Sequence, residues 1–213
     1  MKKLFVLFLS VFFVFSFALS GCDNTPDLTD YLTELRQDVY HGENGDISLS
    51  SAYGFNKSKG DGYFMTFKLN NPLDIPVTYT LTFNHDKTYT KQFEVSPVTH
   101  SLTASIELEK FDKAEFTVDV SYGSETVTVQ MRSLRPSETM GYHDALNSLK
   151  TSQPTLIQNY VKDGLFTASI CMRLSVKDGK PYYYVAFTDT DKNVKAFLLD
   201  GISAKVLAVR EIF

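Results

Sequence analysis

The chain reads as mainly β / α+β, and three observations predict it. Residues 46–134 alternate apolar with polar side chains at a period of two, the signature of half-buried strands. From Tyr142 to Lys162 the apolar spacing turns helical. After Gly164 four more alternating runs follow, separated only by short loops. A strand-rich part and a mixed helix-and-strand part are therefore expected, each burying one face of its elements.

Ahead of both parts stand Lys2 and Lys3, then an apolar run from Leu4 to Leu19 containing six phenylalanines. A charged start followed by an apolar segment of this length is a signal peptide and is left out of the fold. It is shorter than the ~20 residues a membrane-spanning helix needs. Leu19, Ser20 and Gly21 followed by Cys22 resemble the lipobox of bacterial lipoprotein signal peptides. That resemblance implies cleavage before Cys22, a diacylglyceryl group on its sulfur, and an exported protein anchored to the outer face of the cytoplasmic membrane. A diacyl group supplies two chains, which hold a protein where one holds it only marginally. The membrane is thus one expected partner. The alternative is a cleaved secretory signal with an incidental cysteine.

Residues 22–45 are expected to carry the lipid anchor, a tether and an amphipathic helix. Asp23, Asn24 and Thr25 reach about 10 Å when extended, which keeps the first folded element near the headgroups. Thr25-Pro26-Asp27 is a helix-start pattern. Leu28, Leu32, Leu35 and Val39 follow at helical spacing, with Tyr31 beside them, and Gly42 is the expected stop. The polar face of this helix carries acids beside Arg36, so packing against the next domain is favoured over lying in the membrane.

Residues 46–134 should form a β-sandwich. Strands are expected near 47–53, 64–69, 77–83, 89–95, 102–108, 116–122 and 127–131, with a turn at Asn84–Lys87 and a hairpin through Gly123-Ser124. Seven short strands between turn signals suggest an immunoglobulin-like sandwich. Residues 135–141, beginning Arg135-Pro136-Ser137-Glu138, read as a linker, since proline ends a ladder. Residues 142–213 should place helices at Tyr142–Lys150 and Pro154–Lys162 on one face of an antiparallel meander. Its strands are expected at 167–176, 182–188, 194–200 and 205–212.

The closing segment, Tyr182-Tyr183-Tyr184-Val185 through Leu199-Asp200-Gly201 to Ala204-Lys205-Val206-Leu207, resembles a PepSY-type module. Ala204 stands where that family usually has glycine. The resemblance covers about the last 70 residues and implies a non-catalytic module that binds or restrains an exported protease. The chain as a whole resembles lipoproteins of Gram-positive bacteria.

Loss of the two signal lysines leaves 19 basic against 25 acidic residues, a formal charge of −6. No basic run is available to hold a nucleic-acid backbone, and no nucleic-acid partner is expected. With Cys22 acylated, Cys171 has no disulfide partner. Its apolar strand setting, without a flanking cation or histidine in sequence, reads as a structural thiol.

His41, His85, His100 and His143 lack ligand spacing, and no metal or cofactor is expected. Asp189-Thr190-Asp191-Lys192-Asn193 begins like a calcium loop, but Val194 occupies the position that needs glycine, so a hairpin turn is the better reading. No nucleophile elbow, phosphate loop or dinucleotide fingerprint is present, and no catalytic residue is assigned. The acid pairs Glu107/Glu109 and Asp112/Glu115 fall on strand faces and turns, where they keep edges soluble.

Strand alternation sets Tyr183 opposite Tyr182 and Tyr184, which opens a binding face as an alternative to core packing. The expected function is a non-catalytic binding or regulatory module at the membrane surface, with an extracytoplasmic protein as partner. The alternatives are a PepSY-like regulator of an exported protease and a cell-envelope hydrolase. A two-lobed solute-binding lipoprotein is disfavoured, because strands and helices do not alternate.

Overall fold

Strand β1 (Leu32–Asn44) organises the molecule, because it forms ladders with three other strands. The computed structural model describes residues 26–72, 77–96 and 99–212, so the lipobox Leu19, Ser20, Gly21 and Cys22 lies outside the described residues. The helix expected from Leu28 to Val39 is replaced by a single 3-10 turn, Leu28–Tyr31, after which the chain is extended. The turn is capped by Asp27, whose carboxylate accepts from the Thr29 backbone N–H at 2.9 Å.

The reason for the difference lies in the ladders. β1 pairs in parallel with β12 (Ser169–Lys177), and the register slips between Leu32 and Glu34. It pairs antiparallel with β2 (Ile47–Asn56), and the register slips between Arg36 and Asp38. A bulge adds one residue to a half-period. Leu32 and Leu35 therefore share a buried face at a spacing of three, which is also helical spacing. Gly42, the expected helix stop, lies inside β1. A Cβ there would collide with the Gln130 carbonyl oxygen and sit 2.9 Å from Met131 Sδ. Glycine is needed for the close approach of β1 to β9 (Glu125–Ser133).

The remaining strands of the first part are β3 (Tyr63–Leu69), β4 (Tyr79–Asn84), β5 (Thr88–Gln92), β6 (Glu94–Val95), β7 (Leu102–Glu107) and β8 (Glu115–Tyr122). One layer runs β6-β7-β3-β2-β1, and from β1 the ladder continues through β9, β8 and β4 to β5. The result is a mostly β, sandwich- or barrel-like arrangement. The run expected as one strand at 89–95 is two strands, because Phe93 is buried at a crossing where β5 pairs β4 and β6 pairs β7. The hairpin through Gly123-Ser124 forms as read, with Tyr122 opposite Glu125. Between the layers Phe67, Phe83, Phe111 and Phe116 meet edge to face or tilted around Tyr40.

The C-terminal part contains α1 (Tyr142–Ser152), α2 (Pro154–Asn159) and the antiparallel meander β12, β13 (Lys180–Thr188), β14 (Val194–Asp200) and β15 (Val206–Ile212). The second helix stops three residues short of Lys162. Asp163 and Gly164, at φ 52° and 77°, turn the chain back so that β10 (Val161–Lys162) pairs with β11 (Leu165–Phe166). Ala204 adopts φ 55°, the left-handed backbone that glycine takes without strain. Its methyl is buried.

The two hydrophobic clusters share no residue, yet both draw on β1. Leu32 and Leu35 belong to the cluster under the helices, and Tyr40 to the cluster of the first part. The segment 135–141 is fastened at both ends. Arg135 donates to the Gln37 carbonyl and to Asp38 at 3.0 Å, and Met140 N–H donates to the Gly201 carbonyl.

Candidate functional site

Because β1 joins β12 to β2, the meander and the first layer form one continuous sheet. Residues directly opposite in a ladder share a face. Register by register, one row crosses this sheet: Tyr184 opposite Arg173, Arg173 opposite Arg36, Arg36 opposite Gly54, and Gly54 opposite Phe64. The row lies on the face away from both cores. Tyr184 and Phe64 stand four strand spacings apart, about 19 Å, and an open trough of about 660 Å³ crosses the sheet from Arg173 on β12 past Phe64 to Thr103 on β7. Small side chains on β2, Ser50 and Ala52 with Gly54, form its floor.

Arg173 binds Glu34 with both ends of its guanidinium, Nε and Nη2 each at 2.7 Å from a carboxylate oxygen. Burial works against the charge on Glu34, but the Arg173 fork outweighs it, and Glu34 is held below the usual carboxylate range. The same bond raises the Arg173 pKa above its ordinary value. Arg36 stands beside this pair with its Nη2 4.0 Å from Glu34 Oε1. Burial and the neighbouring Arg173 charge lower the Arg36 pKa. Cys171 lies opposite Glu34 in the β1–β12 ladder. Burial first, and then the Glu34 charge, push its thiol up to about 11, the opposite of what a nucleophilic cysteine needs.

The three adjacent tyrosines are divided as alternation predicts. Tyr183 is fully buried and donates to the Met140 carbonyl at 2.6 Å, while Tyr184 stands exposed on the trough side. The expected calcium-like loop is a closed turn: Asp189 Oδ1 accepts from the backbone N–H groups of Asp191 and Asn193, and Oδ2 from the Asn193 amide. Glu107, Glu109, Asp112 and Glu115 are all exposed. Asp112 pairs with Lys110, and Glu115 with Arg132. His41 contacts Glu43, His85 the Lys110 carbonyl, and His143 sits between Asp27 and Asp144. Among the described residues no three histidine, cysteine or acidic side chains come together as a metal-ligand group.

Sequence reading missed Arg36, Gly54, Phe64 and Arg173 as members of one site. The signal present is a charged residue, Arg173, inside the otherwise apolar run from Ile170 to Leu174. What joins it to Arg36 is a parallel pairing between segments 137 positions apart, and periodicity carries no trace of that. No protein-family model matches the chain, and no curated protein shows significant similarity to it.

Proposed function

We propose that the protein is a non-catalytic, lipid-anchored module, exported and fixed to the outer face of the cytoplasmic membrane through Cys22, which presents the trough between Arg173 and Phe64 to a partner. The observation that carries this reading is the trough itself. It is an open site of ligand-binding size on one continuous sheet, lined by the aromatic ring of Phe64 and by the charged groups Glu34, Arg36, Lys59, Lys68 and Arg173. The N-terminal tether supports the membrane part: four backbone steps lead from Cys22 to Pro26 and span at most about 14 Å, so the sheet stays close to the headgroups. The two layers that enclose Phe67, Phe83 and Phe116 support an immunoglobulin-like assignment for residues 46–134.

The test is in-cell photocrosslinking from positions 64 and 184, with Cys22→Ala as the released control and intact mass on Cys22 to read its lipid. One specific exported or membrane product from the anchored form alone is expected. No product above the released control at either position removes the reading.

A second reading, PepSY-like restraint of an exported protease, draws support from the four-stranded meander with α1 and α2 on one face and from the left-handed Ala204 in its last turn. The purified protein should then slow at least one exported zinc protease. Unchanged rates across a panel of such enzymes would remove it.

A further inference from the structure

Two arginines directly opposite in a ladder repel one another, and the sheet supplies a single carboxylate for both. Glu34 gives that carboxylate to Arg173 at 2.7 Å and stands 4.0 Å from Arg36. Arg36 is therefore a partly sheltered cation that makes a long 4.0 Å ion pair with Glu34, while both hydrogen bonds of that carboxylate go to Arg173. On its other side the ladder partner is Gly54, whose lack of a side chain lets β2 lie against the Leu35 carbonyl, and both residues line the trough. Beyond Gly54 stand Phe64 and, from the loop after β2, Lys59, whose Nζ lies 3.4 Å from Ser105 Oγ. Lys68 completes the set. Four cations line the trough against one carboxylate, Glu34, in a chain whose overall charge is negative. A cation-lined concavity on a low-dielectric wall concentrates anions.

Resting on the reading of the trough as the binding site, we propose that it takes phosphate esters, with Arg36 as the principal oxyanion-binding side chain, Lys59 as a second cation of the trough on the β7 side, and Phe64 as the wall for the organic part of the ester. A guanidinium fork matches phosphate oxygens two at a time. The four cations stand on different elements around the trough, which suits a ligand offering several anionic oxygens better than a planar carboxylate that one arginine saturates. Glu34 has a positioning role: it holds Arg173 and leaves Arg36 for the ligand. Two sources present this chemistry at a membrane, a phospholipid headgroup and a soluble phosphate ester or polyphosphate.

The test is calorimetric titration of the full lipidated protein in neutral detergent. The probes are inorganic phosphate, polyphosphate, and mixed micelles containing phosphatidylglycerol or phosphatidylcholine. Binding that weakens with added salt, falls at least tenfold in Arg36→Ala and Lys59→Ala, and is unchanged in Lys113→Ala is expected. Arg36→Lys, which keeps the charge and loses the fork, should fall between. Thermal melts of each variant separate loss of site from loss of fold, and Arg36 is exposed enough for the fold to survive its replacement. Binding to phosphatidylglycerol micelles alone assigns a lipid source, and binding to polyphosphate alone assigns a soluble one; either supports the proposal. It is overturned if no phosphate probe binds more tightly than about 1 mM, if Arg36→Ala binds as tightly as the parent, or if polyglutamate outcompetes every phosphate. Crosslinks that persist at positions 64 and 184 in those cases would leave the trough as a binding site and remove only its phosphate chemistry.

Discussion

Replacing Gly54 by alanine tests whether the contact between β1 and β2 is as tight as the structure shows. A Cβ at position 54 falls within contact of the Leu35 carbonyl oxygen, with the Leu35 carbonyl carbon at 2.7 Å and Arg36 Cα at 3.0 Å. All three are backbone atoms of the central strand and have no rotamer to move into. Relief requires β1 and β2 to part beside the register slip between Arg36 and Asp38. Overpacking costs about 1–3 kcal/mol, and weakening two ladder hydrogen bonds adds about 1 kcal/mol each. The expected loss is therefore about 3–5 kcal/mol, and at roughly 2–4 °C per kcal/mol for a chain of this size the melting temperature should fall by about 6–20 °C. Gly45→Ala is the control. Gly45 has φ +57° with nothing within 4 Å of its Cβ, so the change costs only the left-handed backbone, about 1 kcal/mol. Melting curves followed by circular dichroism on both variants decide the matter. A Gly54→Ala shift below 2 °C, or one no larger than that of Gly45→Ala, would refute the reasoning.

Three further outcomes follow from the same contacts. Glu34→Gln should lower stability at pH 7 by about 1 kcal/mol, as expected for one bidentate ion pair with a half-exposed arginine. Because the folded-state pKa of Glu34 is depressed, that contribution is complete above the ordinary value of 4.5 and disappears as the pH falls through the lower folded value; melting curves that still differ at pH 2 would count against the pair. Tyr183→Phe removes the bond to the Met140 carbonyl and should cost about 1 kcal/mol in urea unfolding, whereas an unchanged midpoint would mean the bond contributes nothing. With its thiol pushed up to about 11 from an ordinary 9.0, Cys171 should react with a disulfide reagent at pH 8 roughly 100-fold more slowly in the native protein than in urea, and rates within tenfold of each other would contradict its burial.

Alternation made most strands legible: β3, β7, β8 and the whole C-terminal meander lie where a period of two places them, because each buries one face only. The first strand was not legible, since its two register slips convert alternation into the three-residue spacing of Leu32 and Leu35. Phe93 misled in another way. An apolar residue in phase with Tyr89 and Val95 reads as the middle of one strand, while in the fold it marks the crossing from one layer to the other. Of the site, the outward placement of Tyr182 and Tyr184 could be read from alternation around Tyr183. Arg36 and Arg173 could not be joined, because each is an ordinary polar position in its own segment and only the parallel ladder brings them together. Ala204 is a middle case: its turn was visible, and its left-handed backbone appears only in the structure.

The placement of β1 between β2 and β12 also has a mechanical meaning. A load applied at residue 26, as by a tether to a surface, runs along the axis of β1 rather than across its hydrogen bonds. Ladders on both flanks then share that load in shear, and neither can open one bond at a time from the loaded end. Resistance to pulling is governed by the barrier to unfolding rather than by equilibrium stability. The molecule should therefore hold against tension from its N-terminal side better than against a pull on β15, which is paired on one side only and can be peeled away from β14.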